Sequence, residues 1–512
     1  MRRAGILMPI TSLPSPYGVG TMGEAAREFV RFLNKAGQSY WQILPICPTS
    51  YGDSPYQSFS SYAGNPYMID LDDLHKEGLL EEKDYKDIDW GSNPEKIDYG
   101  LLYQKRFDVL KKAVKAAEVK YSEELSKFRI ENKKWLSDYA LFMAIKDDQN
   151  GVSWLEWPDI LRKRDNKALT VTKDKLKDQF EFWEGVQFLF FKQWKELKKY
   201  ANDNDVKIIG DIPIYVSSDS ADVWANPDQF QLDNDLKPVS VAGCPPDGFS
   251  ADGQLWGNPL FAWDVMKEQE YSWWVDRIAY QTKIYDVLRI DHFRGFDAYY
   301  SIPYGEDTAK NGEWKEGPGI DLFNVIKKKL GELPIIAEDL GLLTDSVREL
   351  LKDTGFPGRK VLEFAFDSRD TESGYLPHLY NINCVVYAGT HDNDTIVGWF
   401  NTIPEEDAEY AKRYMRISES EGYHWGMMRT AWASVADTAI MQMQDVLGLG
   451  SAARMNTPST LSDKNWSWRC LPGAYNDSLA ELLHKDMVTY GRVHIEEAAS
   501  EEEDEKTEDA AE

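Results

Sequence analysis

The chain has 512 residues, with 58 basic and 86 acidic side chains and a formal net charge of −28. That balance excludes nucleic acid or an anionic membrane surface as the main partner, since both are held through basic patches that release counterions. With 42% hydrophobic residues the chain can bury a sizeable core, and no apolar run reaches the roughly 18 residues of a membrane-spanning helix.

In chain order, a short apolar run at Ile6–Ile10 reads as a strand and is followed by a Pro/Gly loop from Ser12 to Gly23. Glu24 to Ala36 carries Ala26, Phe29, Val30 and Leu33 at helical spacing, with Gly37 as the stop. Trp41 to Ile46 is the next strand. A helix through Phe188, Phe191, Trp194 and Leu197 precedes a strand at Val206–Gly210. A helix at Trp273–Ile284 precedes Val287–Ile290, one at Asp321–Leu330 precedes Pro334–Ala337, and one at Ser346–Asp353 precedes Val361–Phe366. Cys384–Ala388 is a further strand, and Val446–Leu449 is the last and weakest. Buried strands alternating with amphipathic helices give an α/β class with a parallel sheet. About eight of them over this length favour a (β/α)8 TIM barrel with large insertions.

The expected division places the barrel at 1–70 and 186–495. A mainly helical, Lys/Glu/Asp-rich insertion falls at 71–185, including a helix over Leu101–Ala117. A Pro/Gly/Asn/Asp-rich stretch at 212–262 reads as long loops over the active-site face. The last 17 residues, 496–512, hold ten acids and one lysine and read as a solvated, disordered tail. Cys47, Cys244, Cys384 and Cys470 are scattered without a CxxC pair, and the N-terminus lacks a secretory apolar segment. A soluble, cytoplasmic monomer or small homo-oligomer is expected.

Several strands end in a carboxylate: Asp211 after Ile208-Ile209-Gly210, Asp291 after Leu288-Arg289-Ile290, Glu338 after Ile335-Ile336-Ala337, and Asp392 after Gly389-Thr390-His391. One such acid alone is as well explained by a helix N-cap. Four at matching positions, beside Arg289, His292 and His391, converge on the rim where barrel enzymes place their sites. Clustered carboxylates suit glycosyl transfer, in which one attacks the anomeric carbon and another, protonated, donates to the leaving oxygen. Arg289, two residues before Asp291, shares its face of the strand and can hold it ionised. The chain also carries 18 Trp, 27 Tyr and 21 Phe, flat faces that suit sugars in so acidic a protein. No HExxH occurs and the acids lack compact ligand spacing, so neither a metal nor a cofactor is expected. Gly18-Val19-Gly20-Thr21-Met22-Gly23 matches GxGxxG but follows a proline-containing loop, with no acid about 20 residues on, and is rejected as a dinucleotide site.

Arg289-Ile290-Asp291-His292-Phe293-Arg294-Gly295-Phe296, Ala337-Glu338-Asp339-Leu340-Gly341 and Gly389-Thr390-His391-Asp392-Asn393-Asp394-Thr395 resemble the catalytic motifs of the 4-α-glucanotransferases of glycoside hydrolase family 77. The likeness also includes Tyr51-Gly52-Asp53-Ser54-Pro55-Tyr56, Asp211-Ile212-Pro213-Ile214-Tyr215, Gly243 to Ser250 and Gln254 to Pro259, and runs from Gly5 to about Tyr490. The resemblance implies Asp291 as nucleophile, Glu338 as acid/base and Asp392 as stabiliser of the transition state. It implies Arg289, Asp211, His292 and His391 around the attacked glucose and Trp256 beside the next sugar. Tyr51, Ser54, Tyr56, Asp247 and Phe249 fall among the implied contacts to an α-1,4-glucan. After Arg454-Met455-Asn456-Thr457 the chain has Ser459 between Pro458 and Thr460, where the resemblance leads one to expect glycine. The rival readings are an α-amylase-like hydrolase with water as acceptor, and a non-catalytic glucan-binding protein.

Overall fold

The computed structural model describes residues 2–493 apart from 51, 247–249, 340–343, 371 and 419. The expected tail at 496–512 therefore lies outside the described residues. Twelve strands are present among them: β1 (Arg3–Leu7), β2 (Tyr40–Gln42), β3 (Lys207–Pro213), β4 (Ser240–Cys244), β5 (Gln254–Pro259), β6 (Val287–Asp291), β7 (Ala298–Pro303), β8 (Glu313–Glu316), β9 (Ile335–Ala337), β10 (Gly358–Val361), β11 (Cys384–Tyr387) and β12 (Thr438–Gln442). Eight of them form one parallel sheet in the order β10-β11-β12-β1-β2-β3-β6-β9. The amide of Ala337 at the end of β9 donates to the Pro357 carbonyl just before β10 at 3.0 Å, so the two end strands meet and the sheet curls into a (β/α)8 barrel.

The strands are short and apolar because both faces are covered: Ala4, Ile6, Ile208, Leu288, Ile290, Val386, Ala439 and Ile440 are fully shielded from solvent. The helix Glu24–Lys35 buries Ala26, Phe29, Val30 and Leu33 on one side, and Gly37 beyond its end adopts φ +69, a conformation that glycine takes without Cβ strain. The helix Lys177–Asp203 is 27 residues long, roughly 40 Å at 1.5 Å per residue. Two of its buried glutamines clamp a loop. Gln187 accepts from and donates to the Gly64 backbone at 2.7 and 2.9 Å, and Gln193 does the same to Asp70 at 2.7 and 3.0 Å.

Two strand assignments differ from the sequence reading. The final barrel strand is Thr438–Gln442, and Val446 instead ends a short helix beginning at Met443, with Gly448 turning at φ +64. A barrel strand with the small Ala439 and polar ends carries a weaker apolar signal than Val446–Leu449, which misdirected the reading. The strand expected at Val361–Phe366 lies earlier, at Gly358–Val361, and Leu362–Phe364 form a 3-10 turn. The stretch 212–262 contributes β4 and β5 to a second, antiparallel sheet in the order β5-β4-β7-β8. No helix among the described residues is long and apolar enough to cross a membrane.

Ser459 has φ +62, the left-handed region where a side chain strains the backbone and glycine does not. Ser459→Gly is therefore expected to stabilise the protein by about 0.5–1 kcal/mol, read as a higher urea midpoint at unchanged slope. A midpoint at or below that of the wild type would contradict it.

Candidate functional site

The parallel register brings the predicted residues to one rim. Asp211 lies opposite Arg289, and Pro213 opposite Asp291, across β3 and β6. Ile290 lies opposite Ala337 across β6 and β9, so the next positions, Asp291 and Glu338, leave neighbouring strands side by side. The Glu338 amide donates to the Ile290 carbonyl at 3.0 Å and continues that pairing past the strand end.

At the centre is Arg289, whose side chain is 2% exposed. One terminal nitrogen binds the fully buried Asp211 carboxylate, and the other donates to Asp291 Oδ1 at 2.9 Å. Tyr56 O–H donates to Asp211 Oδ2 at 2.7 Å. Ser54 Oγ accepts from the Tyr56 amide at 3.2 Å and thus shapes the loop, rather than reaching the carboxylates itself. Burial works against a charged Arg289, but Asp211 and Asp291 outweigh it and hold the guanidinium protonated.

His292 adopts left-handed φ 54 and ψ 47, uncommon for a residue with a side chain and a conformation that costs energy. The turn aims its amide at Glu338 Oε2, 2.7 Å away. Arg359 on β10 binds the other oxygen, Oε1. Sequence reasoning missed Arg359 because it began the strand three residues too late, at Val361 instead of Gly358. Burial pushes Glu338 up, yet Arg359, then Arg289 and His292, hold its carboxyl below the usual range. Asp291 behaves oppositely. Although 27% of its side chain faces the cleft, desolvation by the surrounding protein, opposed by Arg289 and reinforced by Glu338, Asp211 and Asp392, pushes it up to about 8. Burial and the neighbouring carboxylates thus favour the neutral form of Asp291, while Arg359 favours the charged form of Glu338.

Asp392 is the most open of the acids, with 44% side-chain exposure. His391 Nε2 stands 3.4 Å from its Oδ2, Asn456 Nδ2 donates to its Oδ1 at 2.7 Å, and an Arg454 terminal nitrogen donates to its carbonyl at 2.6 Å. The run Arg454-Met455-Asn456-Thr457 was legible as a motif but not as the holder of Asp392. Burial lowers both imidazoles, His292 to about 4, so both are neutral near pH 7. His292 Nε2 and His391 Nδ1 are buried without a hydrogen-bond partner, which leaves polar atoms for a ligand to satisfy. The Trp256 ring lies edge-on to His292 at 4.8 Å, and Tyr56 stacks on His391 at 5.2 Å. Trp466, not anticipated, stands 5.9 Å from His391. Tyr51, Asp247 and Phe249 lie outside the described residues.

No group of three or more His, Cys, Asp or Glu among the described residues is arranged to hold a metal ion. A cavity of about 840 Å3 lies elsewhere, against Tyr67, Phe107, Tyr139 and Trp183, and none of the rim carboxylates lines it. Of the four carboxylates, Asp291 and Asp392 keep part of their side chains exposed, whereas Asp211 and Glu338 are buried.

A family profile, glycoside hydrolase family 77, described as 4-alpha-glucanotransferase, matches residues 8–473. The chain is 53% identical over 487 residues to a 4-alpha-glucanotransferase of Clostridium butyricum, spanning 95% of this chain and 100% of that one. It is 47% identical over 483 residues to the 4-alpha-glucanotransferase of Thermus thermophilus, spanning 92% and 95%. Among solved structures, amylomaltase from Streptococcus agalactiae in complex with acarbose matches with a TM-score of 0.94 at 45% identity, over 96% of this chain and 100% of that one. Amylomaltase from Corynebacterium glutamicum, 19% identical, shares the fold with a TM-score of 0.74 over 96% of this chain and 74% of that one.

Removing Arg289 would leave Asp211 buried without its counter-ion. Arg289→Met is expected to destabilise the protein by about 3–5 kcal/mol in urea unfolding, with part of the loss restored in the double variant Asp211→Asn/Arg289→Met. An Arg289→Met midpoint equal to the wild type would contradict the buried ion pair.

Proposed function

The chain belongs to glycoside hydrolase family 77, the 4-alpha-glucanotransferases, and from that premise we propose that it transfers segments of α-1,4-glucans to the 4-hydroxyl of an acceptor glucan or glucose by double displacement. The observation that carries the mechanism is the side-by-side exit of Asp291 and Glu338 from paired strands. Neighbouring strands lie about 4.8 Å apart, which favours the short carboxyl separation of retaining enzymes over the wider, water-admitting one.

In the first step an ionised Asp291 attacks the anomeric carbon, and the glycosidic bond breaks as Glu338 passes its proton to the departing oxygen. A glucosyl ester of Asp291 remains. In the second step the acceptor 4-hydroxyl attacks the same carbon, Glu338 takes its proton, and the ester bond to Asp291 breaks. Configuration inverts twice and is therefore retained. Arg289 orients Asp291 through their 2.9 Å bond and is itself fixed by Asp211. Asp392, aligned by Asn456 and Arg454, serves the ring hydroxyls, where hydrogen bonds strengthen as positive charge develops. The neutral imidazoles of His292 and His391 offer both donors and acceptors to the same sugar. Trp256 and Tyr56 supply aromatic faces beside it, and Ser54 shapes the loop that carries Tyr56.

Incubation with maltotriose followed by chromatography tests this reading. Glucose together with oligosaccharides longer than maltotriose is expected; maltose and glucose alone would identify a hydrolase, and no change a binding protein. Asp291→Asn is expected to lose turnover by about four orders of magnitude or more with its thermal unfolding unchanged. Near-normal activity in that variant would overturn the nucleophile assignment.

A further inference from the structure

We propose that Arg359 is a positioning residue that decides whether Asp291 or Glu338 carries their shared proton, and thereby sets the pH range in which Glu338 can act as an acid. The inference rests on the acid/base reading of Glu338 given above.

Both Glu338 oxygens face groups that can only donate. Oε1 meets the Arg359 guanidinium and Oε2 the His292 amide. Both bonds are stronger to a carboxylate than to a carboxylic acid, and the Arg359 cation adds direct charge attraction, so this arrangement favours the ionised form. Asp291 has one such donor among the described residues, Arg289 on Oδ1, which leaves Oδ2 able to hold the proton. Arg359 is 3% exposed and its Nε has no hydrogen-bond partner, so Glu338 is the counter-ion of this guanidinium. Asp339 lies nearby and accepts the Arg359 backbone amide on Oδ1, but the guanidinium itself is bonded to Glu338.

Among the described residues, the other charged or titratable groups facing the pair are Asp211 from β3, Arg289 and His292 from β6 and its following turn, Asp339 after β9, Asp392 and His391 after β11, Tyr56 and Tyr375. Arg289 is already shared by Asp211 and Asp291. Arg359 is therefore the group whose charge favours Glu338 over Asp291. The directions agree: Glu338 is held low while Asp291 rises. This preference runs against the proton placement that the first displacement needs, with Glu338 protonated and Asp291 ionised. Activity ends on the alkaline side where the pair loses its last proton, and the Arg359 charge, which favours the ionised pair, brings that loss to lower pH.

The test is the pH dependence of kcat/KM for maltotriose disproportionation in wild type, Arg359→Met and Arg359→Lys. Arg359→Met is expected to move the alkaline limb upward by about one pH unit or more, and Arg359→Lys to keep the wild-type limb. An Arg359→Met profile superimposable on the wild type, even at reduced kcat, would make the role merely structural and overturn the proposal. A second measurement needs no Arg359 variant. Carboxyl infrared difference spectra of the unliganded protein with 13C-labelled glutamate, wild type minus Glu338→Gln, should show no isotope-shifted protonated band at pH 7, whereas any change at Asp291 stays unshifted. An isotope-shifted protonated band in that difference would overturn the proposal. Failure of the wild type to transfer glucose would instead count against the functional reading, while the spectra still decide where the proton resides.

Discussion

A guanidinium taken out of water is tolerated only where carboxylates replace its hydration, and Arg289 is 2% exposed in the middle of the barrel. Its two terminal nitrogens reach Asp211 on one neighbouring strand and Asp291 on its own. That pairing requires β3 and β6 to lie in the register observed, because a slip of one residue would turn one partner toward the outer helices. Gly210, beside Asp211, faces those helices and lies so close to the Tyr285 ring that an added Cβ would stand 2.1 Å from it. The electrostatic requirement inside the barrel and the packing requirement outside it therefore fix the same two strands.

The rest of the rim is fitted around that centre. Tyr56 comes from a long loop, bonds Asp211 and stacks on His391. The same stretch of chain is held further on by the backbone clamps of Gln187 and Gln193, so the helical region helps to place an aromatic side chain in the cleft. Asp392 is held from the other side by Asn456 and Arg454, two residues in the loop that strained Ser459 follows. Asp211 and Arg289 are sealed, Asp291 and Asp392 keep part of their surface, and both imidazoles retain a buried, unpartnered nitrogen. Rigidity below and unsatisfied polarity above suit a site that must stabilise charge during a reaction without reorganising.

The sequence disclosed what local patterning controls. Carboxylates at the ends of apolar strands identified Asp211, Asp291, Glu338 and Asp392, and the strand spacing gave Arg289 its place beside Asp291. The helices read at Trp273–Ile284 and Asp321–Leu330 lie within a residue of the observed Ser272–Ile284 and Ile320–Leu330, whereas the one read through Phe188 and Leu197 extends to Lys177–Asp203. What stayed hidden depends on tertiary pairing. Arg359 looked like a loop residue, since Val361 to Phe366 is the more apolar stretch, yet closure of the barrel draws the strand back to Gly358. Thr438–Gln442 gave way to Val446–Leu449 for the same reason. The antiparallel partners β7 and β8 lack a strong alternating signal: β8 is exposed throughout, with the sequence Glu-Trp-Lys-Glu. No local pattern could have shown that Tyr56 would meet Asp211, 155 residues away.

The account turns on Asp291 as the atom donor of a covalent bond to glucose. The most direct measurement uses Glu338→Gln protein and an α-maltosyl fluoride, whose leaving group needs no acid but whose adduct lacks a base to release it. After rapid quenching and digestion, mass spectrometry is predicted to find the peptide containing Asp291 carrying a maltosyl ester, absent from Asp291→Asn/Glu338→Gln. A sugar found on another carboxylate, or turnover of the fluoride with no adduct and with inverted product, would contradict it.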